Sequence, residues 1–152
     1  MSSNVSAKKK LAQHLLEGIL EKIQELNEQI GGLEESRNSE SKSTAGDKHE
    51  VGRAMMQTEL NNLSKRLAEL KERANSLKNL SLEKSTEVQN GSLIETTSGV
   101  YFMALGLGKV EMEGETYFVT SPVSPVGQAL LGKKMGETVQ FRNQKITITN
   151  LS

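Results

Sequence analysis

The 152-residue chain contains no cysteine, no tryptophan and only two prolines. Without thiols it can form neither a disulfide nor a thiolate metal site, and a reducing compartment suits it. Aromatic residues make up 3% of the chain and hydrophobic residues 35%, below the globular norm, which argues against one large core. No apolar run is long enough to cross a bilayer. The opening residues, Ser2-Ser3-Asn4-Val5-Ser6 and then Lys8-Lys9-Lys10, show no apolar signal-peptide segment, so a cytoplasmic protein is expected. A surplus of charge is missing too: 19 Lys and Arg balance 19 Asp and Glu. Phosphate neutralisation supplies most non-specific affinity for nucleic acid, so zero net charge disfavours direct duplex binding and favours a protein partner. The lysine run itself reads as solvated terminal charge.

What the chain does contain is two halves with different periods. In the first, Leu11, Leu15, Ile19, Ile23, Leu26, Ile30 and Leu33 recur at steps of three and four. Met56, Leu60, Leu63, Leu67, Leu70, Ala74 and Leu77 do the same further on. Both stripes are helical seams with charged and amide residues between them, and neither can be buried alone. The Ser-rich stretch from Glu34 to Gly46 lets the chain turn, which predicts an antiparallel helical hairpin. At 1.5 Å per residue, arms of roughly 30 residues reach about 45 Å. The same pattern would also serve a plain dimerising coiled coil.

From Ser81 to Asn90 the helical period fades, and Asn90-Gly91 signals a turn. Strands are predicted at Leu93–Thr97, Val100–Leu105, Lys109–Met112, Thr116–Thr120, Thr138–Phe141 and Lys145–Thr149, with a hairpin turn at Glu113-Gly114-Glu115. One short helix interrupts them: Ser124 caps it, Pro125 suits its first position, and Gly132 ends it. The fold class is therefore α+β, with a helical hairpin over residues 1–80, a linker over 81–90, and a small β-rich domain with one short helix over 91–152.

Candidate chemistry is sparse. Asp47 and Glu50 are three apart and project from one face of a helix. They also form a capping box, and Thr44 as N-cap with Asp47 at the third position is an equal alternative. His49 lies between the two acids and reads as a solvated residue that could touch a phosphate. His14, on the first helix without ligand partners, reads as structural. Arg37, Lys42 and Arg53 lie near the same turn and could steer it toward RNA.

The stretch Ser124-Pro125-Val126-Gly127-Gln128-Ala129-Leu130-Leu131-Gly132-Lys133-Lys134-Met135-Gly136-Glu137-Thr138-Val139 closely resembles the C-terminal signature of the Gre transcript-cleavage factors, the GreA and GreB family. Gly46-Asp47-Lys48-His49-Glu50 resembles the Gly-Asp-x-x-Glu at that family's coiled-coil tip. The resemblance implies an antiparallel coiled coil with an acidic tip near residues 44–50, followed by an FKBP-like domain that docks on RNA polymerase. It implies that the hairpin enters the polymerase secondary channel while Ser124 and Pro125 belong to the loop at the channel rim. It further implies that Asp47 and Glu50 help hold a second Mg²⁺, shared with the polymerase active site, and that the polymerase then hydrolyses backtracked RNA near its 3′ end.

Such a factor is not itself an enzyme, and a monomer is expected. Mg²⁺ takes hard oxygen ligands and retains waters, so one or two carboxylates plus phosphate oxygens suffice. FKBP-like architecture also invites a prolyl isomerase, but that needs an aromatic-lined pocket. Here Tyr101, Phe102, Tyr117, Phe118 and Phe141 mostly alternate as strand core, and the isomerase is rejected. Val51-Gly52-Arg53-Ala54 departs from the family's Asn-Ala-acidic-aromatic, which points to a non-cleaving channel regulator as the alternative. A coiled-coil scaffold unrelated to transcription is the second alternative.

Overall fold

The structure is a computed structural model that describes the backbone of residues 2–41 and 47–152 and the side chains of residues 7–39 and 50–152. Two long helices, α1 (Ser2–Ser41) and α2 (Asp47–Lys78), precede the strands β1 (Leu93–Thr96), β2 (Gly99–Met103), β3 (Gly108–Met112) and β4 (Glu115–Thr120). A short helix α3 (Pro125–Leu130) and strands β5 (Thr138–Phe141) and β6 (Gln144–Leu151) complete the chain. The α+β architecture of a helical hairpin followed by a β-rich unit is as the two periods predict. The chain divides into two compact units, Leu16–Asn75 and Met1–Leu15 with Ser76–Ser152.

Within Leu16–Asn75 the helices lie antiparallel with one apolar seam. Ile19, Leu26, Leu60, Leu63 and Ala74 are buried in it, each buried leucine or isoleucine contributing on the order of 2 kcal/mol. Ile23, Ile30, Leu33, Met56, Leu67 and Leu70 are half-buried. The arm is longer than the seam alone suggests, because α1 runs on through Glu34-Glu35-Ser36-Arg37-Asn38 to Ser41. The segment expected to turn at Glu34 is thus helical for eight further residues. Serine and asparagine are weak helix formers but do not stop a helix as proline does, and no proline occurs there. Arg37 also gains a partner by remaining helical, its guanidinium donating to Gln57 Oε1 on α2 at 2.8 Å.

In the other unit the strands form one sheet in the order β3-β4-β2-β1-β6-β5. All neighbours pair antiparallel except β2 and β4, which are parallel with Phe102 opposite Val119. Alternation puts Ile94, Met103, Val139, Ile146, Ile148 and Leu151 into one cluster with Leu130 of α3 and Val88. Two tight hairpins need left-handed backbone. Glu113 (φ 51) and Gly114 (φ 79) join β3 to β4, while Arg142 (φ 50) and Asn143 (φ 61) join β5 to β6.

The segment between α2 and β1 has no regular structure yet is anchored by several hydrogen bonds. Val88 N–H donates to Lys133 O at 2.8 Å and Val88 O accepts from Gly132 N–H at 2.9 Å. Ser92 Oγ donates to Ser85 Oγ at 2.8 Å and accepts from Gln89 N–H at 2.9 Å. Gly91 (φ 92) allows a backbone approach that any side chain would block, since a Cβ there would lie 1.9 Å from Ser81 O.

The N-terminal lysine run departs from expectation at its first member. Lys8 is fully buried and its Nζ donates to Glu83 O at 2.9 Å. Helical phase is the reason, because Lys8 shares a face with Leu11, Ala12 and Leu15, all buried. Burial in turn pushes the Lys8 ammonium below its usual pKa. Lys10 stays exposed and meets Glu113 at 3.8 Å, a surface pair of little energetic weight. His14 is exposed. Among the described residues, no helix is long and apolar enough to cross a membrane.

Candidate functional site

The first candidate is the end of the hairpin where α1 stops at Ser41 and α2 starts at Asp47. Asp47 is the first residue of α2, and Glu50, one turn later, is exposed. Residues 42–46, including Lys42, Thr44 and Gly46, lie outside the described residues, as do the side chains of Asp47 and His49. The choice between a cap at Thr44 and one at Asp47 therefore falls outside them too.

Glu50 borders a shallow groove of about 440 Å³ whose other walls are Arg37, Arg53, Ala54 and Gln57. Sequence reasoning placed Arg37 and Arg53 near the turn but missed how Arg37 is held. Gln57 accepts from it and passes the chain on, donating from Nε2 to Asn61 Oδ1 at 2.9 Å. A neutral amide fixes the guanidinium without cancelling its charge. The two residues are 20 apart in sequence, so only the antiparallel register brings them together.

Could this end hold a divalent cation? Glu50 presents one exposed hard-oxygen carboxylate, the kind of ligand Mg²⁺ takes. It does not amount to a complete coordination sphere. Arg37 and Arg53 on the same groove raise the local positive potential and work against a cation.

The second candidate is the signature segment in the sheet unit. Ser124 caps α3 with extended backbone (φ −70, ψ 158), its Oγ accepting from Gly127 N–H at 3.1 Å. The same hydroxyl donates to Ser121 O at 2.8 Å. Its single proton is thereby used, so in the contact with Thr120 the threonine hydroxyl is the donor. Gly127 is glycine because a Cβ there would lie 1.9 Å from Ser121 O. At the far end, Gly132 (φ 80) and Gly136 (φ 90) take left-handed turns. Glu137 closes the second by accepting from Lys134 N–H through its carboxylate.

Each marked residue of the signature thus has a local structural task. Ser124 is half-buried, and the residues the segment shows to solvent include Pro125, Val123 (78% exposed), Leu131 and, beyond the helix, Met135 (62%). These exposed apolar side chains escaped sequence reasoning, although Val123 stands outside every strand alternation and so carried a signal.

The fold therefore defines a class: an α+β protein with a long helical hairpin and a small mixed-sheet unit. No family model and no curated protein matches the chain. Among solved structures it is similar to one described as the transcription factor Gfh1, at 15% identity over 90% of this chain and 92% of that one, with a TM-score of 0.36. GreA factor homolog 1 (Gfh1) of Thermus thermophilus is 18% identical over 94% and 93%, TM-score 0.34. Gfh1 of Thermus aquaticus is 21% identical over 96% and 94%, TM-score 0.37. At such values the functional reading of this chain is left to its own residues.

Proposed function

We propose that this protein is an RNA polymerase accessory factor of the Gre type that stimulates polymerase-catalysed cleavage of backtracked RNA. In this reading the hairpin enters the secondary channel, the FKBP-like domain docks at the rim through the Ser124–Pro125 loop, and the factor acts as a cytoplasmic monomer. Asp47 and Glu50 would bind Mg²⁺ jointly with the polymerase. Such a metal lowers the pKa of a bound water and neutralises charge on the attacked phosphate. The chain's own residues need only present oxygen ligands at the right place, and the nascent RNA 3′ region is met indirectly.

One observation carries the reading: Glu50 is exposed at the connecting end of a long two-helix arm, one turn after Asp47. The signature around Ser124 supports it independently. Adding the protein to a backtracked elongation complex with end-labelled RNA should shorten the transcript. Asp47→Asn and Glu50→Gln should each cut that stimulation roughly a hundredfold or more, the loss of a few kcal/mol of transition-state charge stabilisation, while polymerase binding persists. Full cleavage by both variants would remove the metal assignment.

A second reading has its own observation. Arg37 and Arg53 share the groove with Glu50 and oppose a cation there, which favours a regulator that occupies the channel without promoting cleavage. Such a factor would bind the complex and shorten nothing. A scaffold unrelated to transcription would instead dimerise stably and capture no polymerase.

A further inference from the structure

Helix α1 carries two adjacent glycines, Gly31 and Gly32, deep in its interior. Glycine is second only to proline as a poor helix residue, and it is usually tolerated there because another chain passes close by. That explanation fails at this position: a Cβ at Gly31 or at Gly32 would meet nothing within 4 Å. Alanine would fit both, so the pair loosens the helix without any packing return. On α1 the seam weakens at the same place, while on α2 it stays buried at Leu63 and Leu60. Among the described residues, no seam residue is buried beyond Leu26 on α1 or before Leu60 on α2. Farther out, a polar bond joins the helices, from Arg37 to Gln57, and Gln57 is itself held along α2 by Asn61. On α2, Thr58 Oγ1 donates back to Ala54 O at 3.0 Å, a bond that tends to bend helices.

We propose that Gly31-Gly32 is a pivot, about which the outer part of the hairpin, beyond Leu33 on α1 and before Leu60 on α2, tilts on the well-packed seam beneath it. This rests on the reading above for its purpose: carboxylates that must find a metal inside another protein gain from a final adjustable length. The pivot itself can be tested without that reading.

Because the chain has no cysteine, Glu21→Cys and Glu35→Cys, both at exposed positions, allow spin labels to be placed on either side of the pair. A straight helix separates them by about 21 Å with a narrow distribution. The expected result is a broad distribution that Gly31→Ala with Gly32→Ala narrows. Amide exchange over residues 30–36 should slow about thirtyfold with the same change. Gly18→Ala, equally open but between Leu15 and Ile19, should leave the distribution broad. A distribution already narrow in the unsubstituted arm, or unchanged by the double substitution, overturns the pivot.

In the backtracked complex the double variant should cleave several-fold more slowly and Gly18→Ala should cleave normally. Narrowing with undiminished cleavage overturns the pivot's role. If the unsubstituted protein cleaves nothing, it is the functional reading that fails, and the distance measurement still decides the pivot.

Discussion

The sheet unit gathers Val88, Ile94, Met103, Leu130, Val139, Ile146, Ile148 and Leu151, drawn from a loop, four strands and a helix, into one cluster. Between Leu16 and Asn75, by contrast, the buried apolar residues form a single file along two helices. In the cluster every member has neighbours on several elements, and removing one leaves a cavity the others cannot close. In the file each residue touches mainly the facing helix, and solvent lies one residue away on either side. A core of the first kind resists opening as a whole; a seam of the second kind opens piece by piece. The difference suits a body that stays fixed and an arm whose outer end adapts.

The sharpest way to break this comparison is truncation in both places. Ile94→Ala, at a residue with no exposure, should cost about 4 kcal/mol. Leu26→Ala in the seam should cost about 2 kcal/mol, because water and neighbouring side chains relax into the gap. Equal costs in urea denaturation would mean that the seam is as well packed as the cluster. Next in size, Gly127→Ala drives a Cβ into Ser121 O and should cost about 3 kcal/mol, with the damage confined to thermal melting of the sheet unit. Ser124→Ala, which removes the cap and the bond to Ser121 O, should cost about 1–2 kcal/mol. If Ser124→Ala melts normally but fails to bind polymerase, the segment's role lies in docking rather than in folding.

Much of this division was legible beforehand. Steps of three and four announced the helices, and alternation announced the strands, because both reflect burial on one face. The signature's Ser-Pro start and Gly132 end announced α3, because capping chemistry is local. What was not legible depended on single contacts between distant segments. Val88 is isolated in sequence, and nothing periodic marks it, yet it bonds to Gly132 and Lys133 far along the chain. The charge of Lys8 masks its phase: its spacing from Leu11 and Leu15 places it on the buried face. At the candidate site, Glu50 is exposed, as a charged residue on a helix surface ordinarily is. The amide-held guanidinium of Arg37 needed the register between the helices, which no single stretch of sequence contains.

The smallest expected effects concern alkaline stability, where two buried groups act in opposite directions. Burial pushes the Tyr117 phenol up to about 12, helped by its hydrogen bond to Glu115 and the charges of Glu115, Glu113 and Glu95. Its neutral form is favoured by the fold, so stability is complete below pH 10 and falls as pH rises from 10 toward 12. Lys8 is the reverse. Its folded pKa is lowered, the unfolded chain binds the extra proton, and stability rises with pH up to the ordinary lysine value of 10.5. Denaturation midpoints measured across that range should lose the rising limb in Lys8→Met and the falling limb in Tyr117→Phe. Unchanged profiles would show both groups to be well hydrated.

The two bonds that Val88 makes to Gly132 and Lys133 stand, in chain order, between the end of α2 and the first strand. Any tension carried along the polypeptide from the helices meets this stitch before it reaches the sheet ladder. A tug on the arm would thus be borne first at the residues just behind α3, leaving the β1 pairings unloaded until the stitch parts.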